Sequence, residues 1–442
     1  MTQEKPDLST LSDEELMIEL ANRRASRLVE GDLTTVELAT EINKADEGAR
    51  VLAKVIAARC DAEDGTPRRC PKCGARARVE AKKQSRTIRT LSGQHTYKRN
   101  YFRCSGCRHG FSPVDDELGV PSTGRVSLEV EKRITDFGVN DVFEEAAARF
   151  SMHYGWSISE NLVRRTIDRV ADAQESIPEP VHQNTLLEKS STPAELLTLS
   201  VDGSMLSTRS GWQEFKVGVV VRDEHHIEGT RVRRGAVTQA RYVTATDLQD
   251  LKERFYAAAV ASGLETAKQV VFVSDGAVWI RNLAQEIFPT AILVLDWPHV
   301  VEHLAECGRA LLSEYPDLLS VWMNTTKTLV WSGRAAQVVK ELRELLSIPD
   351  VDREPVTKLL RYLTSNLDRM DYPDYRAKGF PVGSGVVESA QRHVLQVRMK
   401  RAGQHWNPKR AARMARLRAA SRTAGPHFAS RIRQAQKMVA GF

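Results

Sequence analysis

Three acidic residues occupy positions from which they could bind divalent metal ions. Asp202 ends the run Leu-Thr-Leu-Ser-Val-Asp, Asp275 ends Val-Val-Phe-Val-Ser-Asp, and Glu388 follows the glycine-rich Gly383-Ser-Gly-Val-Val. Hard cations such as Mg²⁺ or Mn²⁺ take oxygen ligands, commonly a few carboxylates together with phosphate oxygens. A pair of such ions can stabilise the attacking and the leaving oxygen when a phosphodiester bond is cut. The three carboxylates therefore predict metal-dependent phosphodiester chemistry.

The elements around these residues predict an α/β fold. One aspartate at a strand end is weak evidence, because turns and caps also collect aspartate there. From residue 195 onward, however, short apolar runs alternate with amphipathic stretches in the order β-β-β-α-β-α-β, with the first three strands as a meander. The predicted strands are 196–201, 213–221, 241–246, 269–274 and 291–295, and the predicted helices are 247–262 and 277–287. This order puts Asp202 and Asp275 at neighbouring strand ends.

A long helical stretch separates the second carboxylate from the third. Residues 300–375 carry amphipathic helices, for example at 335–346, and the α/β pattern resumes only at 383. A helical insertion between Asp275 and Glu388 explains the 113 residues that separate them.

A fourth acid, Asp296, ends the apolar run 291–295 and is followed three residues later by His299. Its place at a strand end could bring it to the metal site. A carboxylate paired with a neighbouring histidine more often fixes local structure, and a hard cation prefers oxygen to imidazole. We expect Asp296 and His299 to support the metal ligands, and a direct metal contact by Asp296 stays open.

The bulk composition is that of a soluble globular protein. The chain has 442 residues, of which 41% are hydrophobic and 27% are charged, so two to four domains are expected. It contains no run of about 18 apolar residues, and its polar N-terminus lacks the apolar core of a signal peptide. We expect a cytoplasmic protein without a membrane partner.

Four of the six cysteines form two Cys-x-x-Cys pairs, Cys70/Cys73 and Cys104/Cys107. Paired cysteines in a reducing compartment are typical of a metal site rather than of disulfides. Four thiolates on two tight turns can surround Zn²⁺ tetrahedrally, and the residues between the pairs read as a β-hairpin with its turn at 92–93. The sequence predicts a zinc ribbon with structural Zn²⁺.

The positive charge is concentrated in two segments, although the net charge is only +7. Residues 66–110 carry 13 Lys and Arg against one acid, and residues 388–442 carry 13 against Glu388 alone, so each segment has a net charge of +12. Two basic blocks on an otherwise acidic chain predict a polyanionic partner. Basic faces that serve only solubility are the alternative.

The remaining segments are predicted to be helical. Residues 10–60 suggest three helices, the second starting at Asp32 and the third spanning 47–59, and 126–175 suggest further helices, of which the last bears Arg164, Arg165 and Arg169. A helix, a turn and a basic helix resemble a helix-turn-helix DNA reader. A plain helical packing unit has the same pattern. Residues 176–194, rich in Ser, Thr and Pro, are predicted to be a linker.

With the acids, the strand order and the insertion taken together, the chain resembles the DDE transposases of bacterial insertion sequences. It is most similar to the Kra-type group, which pairs an N-terminal zinc ribbon with an RNase H-like catalytic core. The resemblance covers roughly 60–425. Its most specific stretches are Gly383-Ser-Gly-Val-Val-Glu388 continuing through 398–406, Ser274-Asp-Gly-Ala-Val-Trp279, and Asp296-Trp-Pro-His299.

The resemblance implies a function and a set of site residues. The catalytic Asp, Asp and Glu fall on Asp202, Asp275 and Glu388, with Mg²⁺ or Mn²⁺ as cofactor. The implied activity is cleavage at element ends and joining of the 3′-OH to target DNA by an oligomer on double-stranded DNA near the bacterial nucleoid. A basic helix beside the site would neutralise phosphates. Together with the basic helix near 164, the predicted DNA contacts are Arg164, Arg165, Arg392, Arg398, Lys400 and Arg401.

Trp406 could stack on a base, but an aromatic plug against the core is the favoured interpretation. A catalytically silent DNA-binding descendant and a metal-dependent nuclease without strand transfer remain alternatives. The predicted domains are an N-terminal helical segment (1–62), a zinc ribbon (63–118), a helical unit (119–178), a first core part (195–300), a helical insertion (301–378), a second core part with the catalytic Glu (379–425), and a tail (426–442).

Overall fold

The structure, a computed structural model, describes residues 11–28, 33–121, 124–188, 190, 192–227, 236–349 and 351–440. The chain divides into two compact units, Met1–Arg133 and Ile134–Phe442. Among the described residues, no helix has the length and apolar character needed to span a membrane. Helices and sheets are mixed, which confirms the predicted α/β class at that level.

The first unit begins with two helices, α1 (Asp13–Leu28) and α2 (Leu33–Asp61). The prediction of two separate helices after residue 30 was wrong, because α2 runs without interruption for 29 residues. Nothing between 33 and 61 breaks it, since the segment contains no proline and its one glycine, Gly48, is tolerated inside a helix at a modest cost. Asp32, the predicted start, lies outside the described residues.

A four-stranded antiparallel sheet completes the first unit. Its strands β1 (Arg68–Arg69), β2 (Arg76–Thr90), β3 (Gly93–Cys104) and β4 (Gly110–Phe111) lie in chain order. The long β2–β3 hairpin confirms the predicted hairpin between the cysteine pairs, and Thr90 pairs with Gly93 at its turn. Gly93 has a φ of +119°, a conformation that a side chain would disfavour. A short helix, α3 (Pro113–Glu117), follows.

Four helices precede the main sheet. They are α4 (Leu128–Asn140), α5 (Phe143–Tyr154), α6 (Glu160–Glu175) and α7 (Glu179–Leu186). The side chain of Ser159 caps α6 by accepting from the backbone N–H of Leu162. Helix α7 contradicts the predicted linker at 176–194. Its Glu179 accepts hydrogen bonds from Arg254 and Arg416, which are distant in the sequence.

The second unit is built on a five-stranded mixed sheet. Strands β5 (Leu196–Thr208), β6 (Gly211–Arg222) and β9 (Arg241–Ala245) form an antiparallel meander, as predicted. Strands β10 (Gln269–Ser274) and β11 (Ile292–Leu295) add parallel to β5 on its other side, which gives the order β11-β10-β5-β6-β9. A small separate pair, β7 (His226–Ile227) and β8 (Ala236–Val237), lies between β6 and β9 in the chain.

Helices cover both faces of this sheet. On one face, α8 (Leu248–Ala261) and α9 (Val278–Ile287) bury residues such as Leu199, Val220 and Phe272. On the other, five helices bury Val273 and Val294, so the predicted helical insertion shares a core with the sheet. These helices are α10 (Trp297–Leu312), α11 (Pro316–Trp331), α12 (Ala335–Leu345), α13 (Arg353–Thr364) and α14 (Tyr372–Ala377).

The C-terminal segment returns to the sheet as a set of helices. Glu388 lies in α15 (Gly385–Ala390), which continues into a π-helix at Gln391–Gln396 and then into α16 (Val397–Met399). Two longer helices follow, α17 (Pro408–Ala424) and α18 (Phe428–Ala440). Thr423 of α17 accepts from the backbone N–H of Tyr242 at 3.0 Å, so α17 lies along the edge strand β9.

Candidate metal and nucleic-acid site

Three aspartates lie at one level of three adjacent parallel strands, Asp202 within β5 and the other two directly after β10 and β11. Strands β5 and β10 pair through Ser200 and Val273, and β10 and β11 pair through Ser274 and Leu295. Continuing each register brings Asp202, Asp275 and Asp296 side by side. Neighbouring strands are about 4.8 Å apart, so the pairing of the strands brings the three residues together where β10 and β11 end. We call these three residues the acid row.

The prediction that Asp202 ends its strand was wrong. Strand β5 continues to Thr208, which pairs with Gly211 of β6. Strand β10 stops at Ser274, so beyond Asp202 only β6 continues alongside β5 in the main sheet. Asp202 therefore lies within a strand, at the point where its parallel neighbour ends.

The carboxylate of Asp202 is half-buried and accepts two hydrogen bonds. Oδ1 accepts from the backbone N–H of Gly203 at 2.6 Å, and Oδ2 accepts from Nε2 of Gln391 at 3.3 Å. Burial, followed by the negative charge of Asp275, raises the pKa of Asp202. Burial and the charge of Asp275 both disfavour the ionised form of Asp202, and a bound cation would stabilise it.

Asp275 begins a tight turn that leads into α9. Its Oδ1 accepts from the backbone N–H of Ala277 at 3.0 Å. The next residue, Gly276, packs so closely under Tyr362 of α13 that a Cβ at this position would clash with the ring. The helical segment 297–377 thus packs directly on the turn that carries the second acid.

Asp296 is fully buried and joins three parts of the site. One of its oxygens accepts from the backbone N–H of Ser384 at 2.6 Å, and the other accepts from the backbone N–H of His299 at 3.2 Å and from the His299 ring. Asp296 thereby caps α10. Its hydrogen bond with His299 raises the pKa of that imidazole to about 9, so His299 carries a positive charge at neutral pH in this arrangement.

Glu388 is exposed and lies beside this pair. Ligand atoms of Asp296, His299 and Glu388 are within 4.8 Å of one another. Asp202 and Asp275 are not part of that group. In this side-chain arrangement Glu388 therefore lies at the Asp296 end of the acid row. No signal in the sequence indicated this preference, because it depends on the hydrogen bond by which Ser384 is held to Asp296, a residue far away in the chain.

His299 is the positively charged neighbour of Asp296 and Glu388. Among the described residues, no Lys or Arg forms an ion pair with Asp202, Asp275 or Glu388. Four buried polar atoms around the cluster have no hydrogen-bond partner in the part of the chain that the structure describes. These are Tyr362 Oη, Arg369 Nε, Ser384 Oγ and Gln391 Oε1. Buried polar atoms normally have partners, so this concentration indicates a place for ligands or water.

The four predicted zinc ligands are brought together in the first unit. Sγ of Cys70 lies 3.6 Å from Sγ of Cys107, and Sγ of Cys73 lies 3.5 Å from that of Cys104. All four sulfur atoms are within 4.8 Å of one another, and all four cysteines are free thiols. A tetrahedral site with zinc–sulfur bonds of about 2.3 Å needs sulfur atoms about 3.8 Å apart. The observed spacing fits such a site.

Backbone N–H groups point at these sulfur atoms. Gly106 and Cys107 donate to Sγ of Cys104 at 3.3 and 3.5 Å, and Lys72 donates to Sγ of Cys70 at 3.4 Å. The hydrogen bond from Cys107 lowers the pKa of the Cys104 thiol to about 6. Stabilised thiolate is the form that binds a metal.

The sequence profile of the uncharacterised protein family UPF0236 matches residues 33–436, which is most of the chain. The chain belongs to this family. No curated protein matches it. Among solved structures, it is similar to the Drosophila P element transposase strand transfer complex, with 9% sequence identity over 71% of this chain and 95% of that chain. The TM-score is 0.32, which is too low to show a shared fold.

Much of the C-terminal basic block of this UPF0236 member is used inside the protein. Helix α17 packs against α6, and its arginines form ion pairs of 2.6–3.0 Å with acidic residues of α6 and α7. These pairs are Arg410 with Asp168, Arg413 with Asp172 and Glu175, and Arg416 with Glu179 of α7. The prediction that the whole block faces a polyanion was therefore too broad, because several of its charges are already paired.

Two of the predicted DNA contacts in this block have internal partners. Arg398 is 2% exposed, and its guanidinium lies over the rings of Phe143 and Trp406, so it cannot reach a phosphate without leaving the core. Arg401 forms an ion pair of 2.8 Å with Glu145. By contrast, Arg392 and Lys400 are exposed. Helical spacing alone could not separate the buried from the exposed positions, because the π-helix changes the period.

The two remaining predicted contacts lie near the start of α6. Arg165 is exposed, whereas Arg164 is half-buried and donates to Asn161 one turn earlier. Trp406 is buried, and its indole N–H donates to the carbonyl of Met399 at 3.1 Å. The interpretation of Trp406 as a plug rather than as a base-stacking surface is confirmed.

Proposed function

We propose that this protein is a DDE-type DNA transposase. It would cut DNA at the ends of an insertion sequence and join the freed 3′-OH to target DNA. The observation that carries the proposal is the acid row of Asp202, Asp275 and Asp296 on adjacent parallel strands, with Glu388 brought to it by a later helix. The resemblance of the motifs around Asp275, Asp296 and Glu388 to this class agrees with that geometry.

The sheet order supports an RNase H-like catalytic core. An antiparallel meander of three strands is extended by two parallel strands on the side of its first strand. This is the arrangement that the resemblance implies for the core. Helices on both faces and a catalytic helix after the last strand complete it.

We propose that Asp202, Asp275 and Glu388 hold Mg²⁺ or Mn²⁺. The fit is supported by their oxygen ligands, by the missing Lys and Arg partners, and by the orphaned polar atoms around them. When bound, such ions activate a water or 3′-OH nucleophile and stabilise the leaving oxygen. Asp296 orients His299 and holds the turn before Glu388, which makes it a supporting residue rather than a ligand.

The residues of the chain itself bind and orient the DNA in this proposal. Exposed Arg392 and Lys400, which follow Glu388 in the same helical segment, would neutralise phosphates near the bond to be cut. The charge on His299 offsets part of the negative charge of the acid row and so reduces repulsion of an approaching phosphate. No serine or tyrosine nucleophile is required.

We further propose that the first unit is a zinc ribbon that recognises the element ends. Zn²⁺ bound by Cys70, Cys73, Cys104 and Cys107 would be structural, because four protein ligands leave no open position. The helices α5 and α6 are a second candidate for end recognition, through Arg165. Transposases of this type act on paired ends, so a homo-oligomer on DNA is expected.

The decisive experiment supplies the purified protein with Mg²⁺ and labelled DNA carrying the ends of its own element. Joined products support transposition. Cuts without joining indicate a nuclease, and binding alone indicates a silent descendant. Asp202→Ala, Asp275→Ala and Glu388→Gln should each abolish cutting and joining and leave DNA binding nearly intact. Cleavage retained by any of the three would refute the site assignment.

A further inference from the structure

Gln391 links the helix of Glu388 to the first residue of the acid row. Its side chain is 3% exposed, and Nε2 donates to Oδ2 of Asp202 at 3.3 Å. Glu388, three residues earlier, lies beside Asp296 and His299. Because residues three apart share one side of a helix, a single helix face contacts both ends of the acid row.

The amide oxygen of Gln391 has no partner in the described part of the chain. It is fully buried and accepts no hydrogen bond from any described residue. Rotating the amide by half a turn would place this oxygen against the carboxylate oxygen of Asp202, and the two would repel each other. The orientation in which Nε2 faces Asp202 is therefore the favourable one. A buried acceptor of this kind is normally satisfied by water or by a ligand.

The backbone at Gln391 is also special. Gln391 begins the π-helix that interrupts the helix after Glu388. Turns of this kind are rare in proteins, and those that occur are often found at functional sites. The guanidinium of Arg418, 1% exposed, donates to the carbonyls of His393 and Val394 within this turn. A buried side chain from α17 therefore holds the π-helix in place.

We propose that Gln391 is a positioning residue for Asp202. Its amide N–H orients the carboxylate towards a divalent cation, and its amide oxygen accepts a hydrogen bond from water in the site. The proposal rests on the proposed function, since it requires Asp202 to be a metal ligand. A residue that merely fills the core would need neither hydrogen bond.

The test measures Mn²⁺ binding to the full-length protein without DNA, by following free Mn²⁺ with electron paramagnetic resonance. Gln391→Met keeps the length of the side chain and removes both hydrogen-bonding groups. Gln396→Met, at an exposed position of the same π-helix, is the matched control. Losing a hydrogen-bond partner of a metal ligand typically weakens metal binding by about 10–100-fold. We expect at least about a 10-fold loss for Gln391→Met and none for the control.

Equal Mn²⁺ affinities for the wild type and Gln391→Met would overturn the proposal. Gln391→Glu separates positioning from direct binding, because a carboxylate at 391 repels Asp202 and should weaken Mn²⁺ binding. Tighter binding would instead identify position 391 as a ligand, contrary to the proposal. If thermal unfolding shows that Gln391→Met is not folded, Gln391→Asn takes its place. The shorter asparagine amide cannot reach Asp202 in the same way, so this variant should also bind Mn²⁺ more weakly, and wild-type affinity would overturn the proposal.

Failure of the proposed function gives a different result. A wild-type protein that binds no Mn²⁺ refutes the metal site and with it the role of Gln391. A wild type that binds Mn²⁺ and cuts DNA, together with an unchanged Gln391→Met variant, refutes only the role of Gln391.

Discussion

The buried carboxylate of Asp296 accepts a hydrogen bond from the backbone N–H of Ser384 at 2.6 Å. A second bond, from the backbone N–H of Trp297 to the carbonyl of Val382 at 2.9 Å, runs alongside it. Together they tie the end of β11 to the turn that leads into α15. The position of Glu388 therefore depends on a residue 92 positions earlier in the chain.

Replacing Asp296 with alanine should destabilise the second unit by about 2–4 kcal/mol. The change leaves the Ser384 N–H buried without an acceptor, at about 1–3 kcal/mol, and removes the cap of α10, at about 1 kcal/mol. Urea unfolding followed by circular dichroism measures the difference. Asp371→Ala is the control, because Asp371 caps α14 at an exposed position and should cost at most about 1 kcal/mol. Equal losses in the two variants would contradict the assigned role of Asp296.

Replacing Arg418 should impair the π-helix and, through it, cleavage. Arg418 donates to three backbone carbonyls, those of Val139, His393 and Val394. Arg418→Met removes all three of these buried hydrogen bonds, so we expect a loss of at least about 2 kcal/mol in the free energy of unfolding. Arg418→Lys should not restore it, because an ammonium group lacks the planar fork of donors. Arg422→Met, at an exposed position of the same helix, should behave like the wild type; if it is equally damaging, burial of Arg418 is not the cause.

The purified protein should contain one zinc ion per chain, measurable by elemental analysis. Cys73→Ser or Cys104→Ser should lose the zinc and unfold the first unit, because the apolar cluster there is small and depends on the closed site. Cys60→Ser and Cys307→Ser should retain the metal. In the two zinc-deficient variants, binding to element ends should weaken while Mn²⁺ binding is unchanged. If these variants bound the element ends as tightly as the wild type, the zinc ribbon would have no part in recognising them.

Replacing exposed basic residues of the C-terminal block should affect DNA binding, whereas replacing a buried one should affect stability. Arg392→Gln and Lys400→Gln should weaken DNA binding and reduce the slope of log affinity against log salt by about 1 each, as expected for a lost phosphate contact. Arg398→Gln should instead lower the thermal unfolding midpoint, because it empties the space between Phe143 and Trp406. Affinity measurements at several salt concentrations distinguish the two. A change in salt slope for a folded Arg398→Gln would show that this side chain reaches DNA after all.

Local patterns were sufficient for several parts of the protein. The apolar runs before Asp275 and Asp296 predicted two buried strands, and both acids do follow directly on strands. Alternation and length predicted the three-strand meander, and the Cys-x-x-Cys spacing singled out four thiols that do come together. These features depend on residues close in the chain, where period and composition carry the information.

Other features depend on contacts between distant residues. Helix α7 lies in a segment rich in Ser, Thr and Pro, and its Glu179 accepts hydrogen bonds from the distant Arg254 and Arg416. Arg398 follows a π-helix and is buried between the rings of Phe143 and Trp406, which come from distant segments. Neither the partners of Glu179 nor the burial of Arg398 has a local signature, so the sequence alone predicted a linker at 176–194 and an exposed side chain at Arg398.

The amino-acid sequence by itself determined the identities of the acids, the order of the elements that carry them, and the thiol pairs. Only the tertiary structure decided that Asp202 lies within a strand, that Asp296 joins the row beside Asp275, and that Gln391 reaches across to Asp202. The physical reason is that strand register and helix placement are set by hydrogen bonds and burial between segments far apart in the chain. The type of a residue tells which interactions it can form, but it does not tell which distant residue will be its partner.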